Sequence, residues 1–155
     1  MRKGEMLSVM IVFAVNGHAG QFDKAGLPYI LHPLKVMHYL RSEDEELQCM
    51  AVGHDLFEDT DVTAAQLRDA GVSERVIAGI YSVTRMPGES EEEYRAKVMS
   101  NEDGVDVKLA DLRHNSDIRR MKGSTEKDVR RTVKYLKFYE ELLAFKETLR
   151  CKCKE

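Results

Sequence analysis

The sequence predicts an all-α fold, a single bundle of about eight helices spanning residues 1–155. Three observations predict it. Val, Ile and Thr do not alternate with polar residues over the length of a strand. No Asn-Gly or Asp-Gly turn joins two β-like runs. Helix punctuation, in contrast, recurs along the chain, with Ser or Thr at starts and Gly or Pro at ends.

The first helix is expected from Glu5 to about Gly17. Its segment, "MRKGEMLSVMIVFAVNGHAG", has a basic start and then about ten mostly apolar residues, superficially like a signal peptide. Glu5 interrupts that start, and the run is too short to cross a bilayer, which takes about 20 residues. It reads as a buried helix. A loop follows, broken by Gly20, Gly26 and Pro28. His32 then precedes Pro33, which suits a first helical position because its missing N–H is not needed there, and the second helix runs to about Arg41.

Ser42 with Glu45 has the capping-box pattern and opens a third helix, which continues through "GHDLFEDT", Gly53 to Thr60. Thr63 with Gln66 opens a short helix that stops at Gly71, and Ser73 starts "SERVIAGIYSVTR", ended by Pro87-Gly88. Ser90 with Glu93 begins the next. A seventh helix is expected from Asp106 to about Met121, and the last starts near Thr125. There Val129, Val133, Leu136, Tyr139 and Leu143 recur at three- and four-residue spacings, an apolar stripe expected to face the core.

The chain is long enough for one domain with a real core. A formal net charge of −3 argues against a duplex-binding surface, and no segment is apolar for long enough to be a membrane partner. Three cysteines, an odd number, argue against a disulfide framework and fit a reducing cytoplasm.

In "GHDLFEDT", four ionisable side chains crowd into six positions after the apolar "QCMAV". On a continuous helix His54 stacks on Glu58 and Asp55 on Asp59, each four apart, on adjoining faces. Such neighbours repel and are costly to desolvate unless a cation offsets them, and a divalent metal takes both imidazole nitrogen and carboxylate oxygen as ligands. A His-Asp pair alone also arises on an ordinary solvated helix turn. Two other segments add weight. "ILHP" offers His32 at a helix start, and "VKLADLRHN" sets Asp111 among Leu109, Ala110 and Leu112, an unusual place for an unpaired carboxylate, with Asn115 one turn on.

The set H…HD…D resembles that of the HD-domain metal-dependent phosphohydrolases. Within them, "HAGQFDKAGLPYILHPLKV", "GHDLFEDT" and "VKLADLRHN" resemble the hydrolase domain of RelA/SpoT-type enzymes and its small stand-alone versions, which remove the 3′-pyrophosphate from guanosine alarmones. The resemblance implies an HD-type helical bundle and metal ligation, usually of Mn²⁺ although another divalent metal is possible, by His32, His54, Asp55 and Asp111. It implies a catalytic acidic pair in Glu58 and Asp59, phosphate contact by Lys24, and a ribose or phosphate contact by Asn115. His18, Gly20, Gln21, Gly26, Pro28 and Tyr29 complete the first motif and mostly shape its loop. A small-molecule nucleotide is the partner implied.

Two positions depart from the pattern. Asp23 stands where an arginine usually precedes Lys24, and Asp117 stands where another arginine follows Asn115. An aspartate cannot stack on guanine and repels phosphate. These departures leave open a second reading, in which the metal site is kept and a different nucleotide or phosphoester is cleaved. A third reading, a binding module without catalysis, is disfavoured because six costly polar groups remain. Of the other histidines, His38 reads as packing or surface, His114 as structural, and His18 as a hydrogen-bonding partner of the loop backbone. Lys108 reads as solvated or ion-paired, and Tyr81 and Arg85 as possible neighbours of the pocket.

Overall fold

Short polar side chains start most of the helices, because each accepts a hydrogen bond from an otherwise unpaired N–H of the first turn. In the computed structural model, residues 2–120, 123 and 125–152 are described. Among them the helices are α1 (Glu5–Gly17), α2 (Leu31–Leu40), α3 (Glu45–Gly53), α4 (Leu56–Asp59), α5 (Ala64–Asp69), α6 (Glu74–Val83), α7 (Glu91–Met99), α8 (Glu102–Asn115) and α9 (Glu126–Lys152). A 3₁₀ turn covers Ile118–Arg120, and the described β-structure amounts to one isolated bridge between Phe22 and Pro28. The fold is all-α, as the punctuation predicts. Thr63 and Ser90 form complete capping boxes with Gln66 and Glu93, and Ser73 caps α6.

Several boundaries differ from expectation. Asp44 rather than Ser42 caps α3, accepting from the N–H groups of Glu46 and Leu47, while the Ser42 hydroxyl accepts from Asp44 N–H. α2 begins at Leu31, so Pro33 lies inside its first turn, where an N–H is still not required. The long third helix is two: α3 ends at Gly53 and α4 begins at Leu56. α8 starts at Glu102 rather than Asp106, capped by Asn101, whose side chain accepts from Gly104 N–H at 2.8 Å. Gly104 is a close-approach residue inside this helix rather than a breaker; a Cβ there would lie 2.1 Å from Ser82 Oγ. α8 also ends at Asn115, with Ser116 as its C-cap, well short of the expected Met121; Met121 itself and the tail residue Cys153 lie outside the described residues.

α3 is the central element, packed against α1, α2, α6 and α8. Its Cys49, Met50, Ala51 and Val52 are fully buried, with Met10 and Ala14 of α1, Val36 of α2, Leu56, and Ile80 of α6 around them. A second cluster joins Tyr94 and Val98 of α7, Val105 and Leu112 of α8, and Phe138 and Leu142 of α9. Fully burying such side chains contributes roughly 1.5–3 kcal/mol each. α8 lies between the two clusters, with Val107 and Ala110 in the first and Val105 and Leu112 in the second. Asp111 is therefore carried into the interior by apolar neighbours on both sides.

The apolar stripe expected to bury on α9 mostly faces outward: Val129, Val133, Leu136 and Leu143 are 41–49% exposed, while Tyr139 is partly buried against the second cluster. Phe138 and Leu142 are the core residues, with Tyr135 and Phe145 packed beside them. The helix carries two apolar stripes, and the groove lined by α7 and α8 selects the one bearing Phe138.

Candidate metal centre and adjoining pocket

Gly53 explains why the His-Asp pair comes where it does. A Cβ at this position would sit 2.4 Å from Met10 Cε and 2.9 Å from Ile80 Cδ1, so its absence lets α3 end in close contact with α1 and α6. His54 then caps α3, and its Nδ1 donates to Ala51 O at 2.8 Å. That bond turns Nε2 inward. Asp55, at φ −99 and ψ −1, starts α4 and brings Oδ2 to 3.0 Å from His54 Nε2.

His32, from the first turn of α2, places Nε2 3.2 Å from His54 Nε2 and 3.5 Å from Asp55 Oδ2. Asp111 Oδ1, from α8, lies 3.1 Å from His32 Nε2 and 3.6 Å from His54 Nε2. The helix ends and helix faces of three separate segments thus converge. All but Asp55 are at most 4% exposed. Metal–ligand bonds of about 2.0–2.2 Å set at tetrahedral or right angles put donor atoms roughly 3–3.5 Å apart. The donor atoms of His32, His54 and Asp55, all within 4.8 Å of one another, could hold a divalent cation, with Asp111 Oδ1 beside the two histidines.

Opposite charges pair closely within the cluster. Burial opposes the His54 imidazolium, but the carboxylates of Asp55 and Asp111 outweigh it and raise its pKa to about 10. Burial opposes the Asp111 carboxylate too, and Lys108, His32 and His54 hold it well below its ordinary value. Lys108 is ion-paired rather than solvated, its Nζ 2.8 Å from Asp111 Oδ2. Asn115 donates through Nδ2 to Asp111 Oδ1 at 2.6 Å.

Three contacts were not legible in the sequence. Tyr29 was read as a loop-shaping residue, but its hydroxyl donates to Asp55 Oδ2 at 2.7 Å and lies 3.4 Å from Asp59 Oδ2. Burial and these carboxylates push the phenol above its ordinary value and keep it a neutral donor. His114 is buried beside His32, their Nδ1 atoms 2.7 Å apart. A signal existed, since His114 follows Asp111 by three residues, one turn on the same side of α8. Arg85 reaches Glu58 through its main chain, donating N–H to Glu58 Oε2 at 2.9 Å, while its guanidinium pairs with Glu91.

Glu58 and Asp59 line a depression with Gln21, separate from the cavity that His32 borders. Burial, and then the nearby Asp55 carboxylate, raise the pKa of Asp59. His18 hydrogen-bonds the Gln21 side chain rather than loop backbone, at 2.8 Å, and Gln21 Nε2 donates to Asp59 O at 2.8 Å. His38 is exposed.

A cavity of about 290 Å³ is bounded by His32 together with Phe22, Lys24, Asn115, Arg120 and Arg131. Lys24 and Asn115 therefore share a pocket with one member of the cluster. The structure also corrects the expected effect of Asp23. Its Oδ1 accepts from Ala25 and Leu27 N–H at 2.8 and 2.9 Å, and its Oδ2 pairs with Arg120 at 3.1 Å. Asp23 organises the loop and sets Arg120 into the cavity wall, so its charge is matched rather than repulsive. Asp117 is likewise paired, with both oxygens on Arg119, which lowers its pKa to about 2.

No protein-family model matches the chain. In sequence it is 31% identical over 135 residues to a guanosine-3′,5′-bis(diphosphate) 3′-pyrophosphohydrolase of Haemophilus influenzae, covering 79% of this chain and 19% of that protein. A protein of the same name from Aquifex aeolicus is 33% identical over 112 residues, covering 68% of this chain and 16% of that protein. The chain spans less than a fifth of the length of these curated relatives. A solved structure described as a metazoan ortholog of SpoT that hydrolyzes ppGpp superposes with a TM-score of 0.73 at 20% identity, covering 92% of this chain and 87% of the other. The chain resembles the RelA/SpoT-type hydrolases over most of its own length and has the helical fold of the metazoan protein.

Proposed function

From that resemblance, and from the four-donor cluster that carries the reading, we propose that the chain is a single-domain, divalent-metal-dependent phosphohydrolase of the HD type. Its substrate is a guanosine 3′-diphosphate alarmone. Water supplies hydroxyl to phosphorus, the bond between the 3′ oxygen and the pyrophosphoryl group breaks, and pyrophosphate and the 3′-hydroxyl nucleotide leave.

His32, His54, Asp55 and Asp111 would hold the cation, Mn²⁺ by resemblance. When bound, such an ion acidifies water and polarises a phosphoryl oxygen. The protein's own groups do the rest. Tyr29 donates to Asp55 and keeps that carboxylate turned toward the histidines. Lys108 and Asn115 do the same for Asp111. Asp59, its pKa raised by burial and by Asp55, is suited to hold a proton for the departing oxygen. Glu58, steadied by Arg85 N–H, is left as the acceptor of a proton from water. Lys24 and Arg120 offset phosphate charge at the cavity. The described residues include no helix long and apolar enough to cross a membrane, and a cytoplasmic nucleotide hydrolase is the reading adopted.

The decisive measurement is phosphate or pyrophosphate release from alarmones, other nucleotides and cyclic dinucleotides, each with Mn²⁺ or with chelator. Metal-dependent release from the alarmones is expected. D55A and D111A should abolish it and weaken metal binding, whereas E58Q should slow turnover at least about tenfold with metal binding intact. A variant E58Q that turns over at the wild-type rate removes Glu58 from the mechanism. Metal bound with no release from any substrate would make the chain a binding module.

A further inference from the structure

Helix α9 is 27 residues long, about 40 Å, and only one of its faces is used by the core. The opposite face carries Val129, Val133, Leu136 and Leu143, each about half exposed. We propose that this face pairs with the same face of a second copy of the chain, the two α9 helices running antiparallel about a two-fold axis near Phe138.

The charges flanking the stripe choose the occupant and its direction. Exposed basic residues, Arg130, Lys134 and Lys137, precede the midpoint, and exposed acidic residues, Glu140 and Glu147, follow it. An antiparallel register brings Lys137 opposite Glu140 of the second copy and Arg130 opposite Glu147, and two-fold symmetry repeats both pairs. The same register sets Val133 against Ala144. At 100° per residue, these five partners of Val133 all project within about 60° of it, so one seam includes them. A parallel pair would set Lys137 against Lys137 and Glu140 against Glu140, which repel. The flanking charges are thus complementary in one direction only, as a two-fold interface requires.

Competition for these charges is weak. Arg130 has one partner within the helix, Glu126 at 3.4 Å, and both side chains are more than three-quarters exposed, so that pair contributes little. Glu141, in contrast, is engaged by Arg95 and lies outside the seam. The core-facing side of α9 supplies Arg131 and Tyr135 to the cavity wall, so pairing would also steady one side of the pocket.

Sedimentation of the whole chain across the micromolar range tests the proposal, with circular dichroism and metal affinity reporting that each variant is folded. Wild type is expected to shift from monomer to dimer mass with concentration, and the dimer should weaken as salt rises. L136E should reduce association more than about tenfold, and K137E or E140K alone about tenfold. Mixing K137E chains with E140K chains should restore dimers, because each then meets its opposite charge, and the K137E/E140K double variant should dimerise with itself. Wild type that stays monomeric throughout overturns the proposal. So does a dimer indifferent to L136E, or one in which the mixed charge variants fail to recover.

Discussion

The Nδ1 atoms of His32 and His114 lie 2.7 Å apart, with the rings stacked at a centroid distance of 4.9 Å and 19° between planes. One nitrogen must donate and the other accept. Burial, then Arg120 and His32, lower the His114 pKa to about 4, so His114 is neutral and can offer Nδ1 as an acceptor. With His114 accepting, His32 Nδ1 donates, and the ring is held so that Nε2 faces Asp111, His54 and Asp55.

Removing that acceptor should therefore damage a site His114 never enters. H114A is expected to weaken metal affinity about 10–100-fold, as loss of such an orienting partner generally does. H114N, which restores an acceptor, should recover part of it. Titration with Mn²⁺ followed by calorimetry checks both, and an H114A protein that binds metal as wild type does would remove His114 from the site.

The metal-free protein should lose stability as pH rises. His54 has a folded pKa raised from 6.5 to about 10, so the stabilisation from its pairing with Asp55 and Asp111 is fully present below 6.5 and is lost as pH rises through about 10. The melting temperature measured in chelator should fall over that window. Metal binding must displace the same proton, so metal affinity should climb with pH across the neutral range, and calorimetry in buffers of different ionisation enthalpy should report proton release.

Asp59 should shift stability in the same direction for a different reason. Its folded pKa is raised above 3.8, so stability present below 3.8 is lost as pH rises through the folded value, and at neutral pH the ionised carboxylate is a destabilising group. D59N is expected to melt higher than wild type at neutral pH, with the difference vanishing in acid, while turnover falls at least about tenfold. Equal melting temperatures at neutral pH would contradict the burial and charge argument.

Arg120 should act on binding rather than on chemistry. It lines the cavity and is oriented by Asp23 and by its own bond to His114 O at 2.9 Å. R120A is expected to raise KM roughly tenfold with kcat nearly unchanged, the pattern of a lost uniform contact. D23N, which weakens the Arg120 pairing but keeps an acceptor for the loop N–H groups, should raise KM less. A drop in kcat with KM unchanged would place Arg120 at the reacting phosphorus instead.

Local rules carried the sequence reading a long way. Thr63 with Gln66 and Ser90 with Glu93 start helices because a side chain a few residues off can close the first turn, and that is written in adjacent residues. His32, the His54-Asp55 pair and Asp111 were legible for a related reason: their polarity conflicts with the apolar segments that carry them. The same rules misplaced what depends on distant neighbours. The need for glycine at position 53 is set by Met10 and Ile80, from segments 43 and 27 residues away. Which stripe of α9 is buried depends on the groove between α7 and α8, since both stripes satisfy the helical period. Tyr29 on Asp55 and Arg120 on Asp23 join residues 26 and 97 apart in the chain. Sequence by itself determined the helices and the chemically costly residues; tertiary structure decided which of those residues meet, because hydrogen bonds and packing act over a few ångströms of space whatever the separation along the chain.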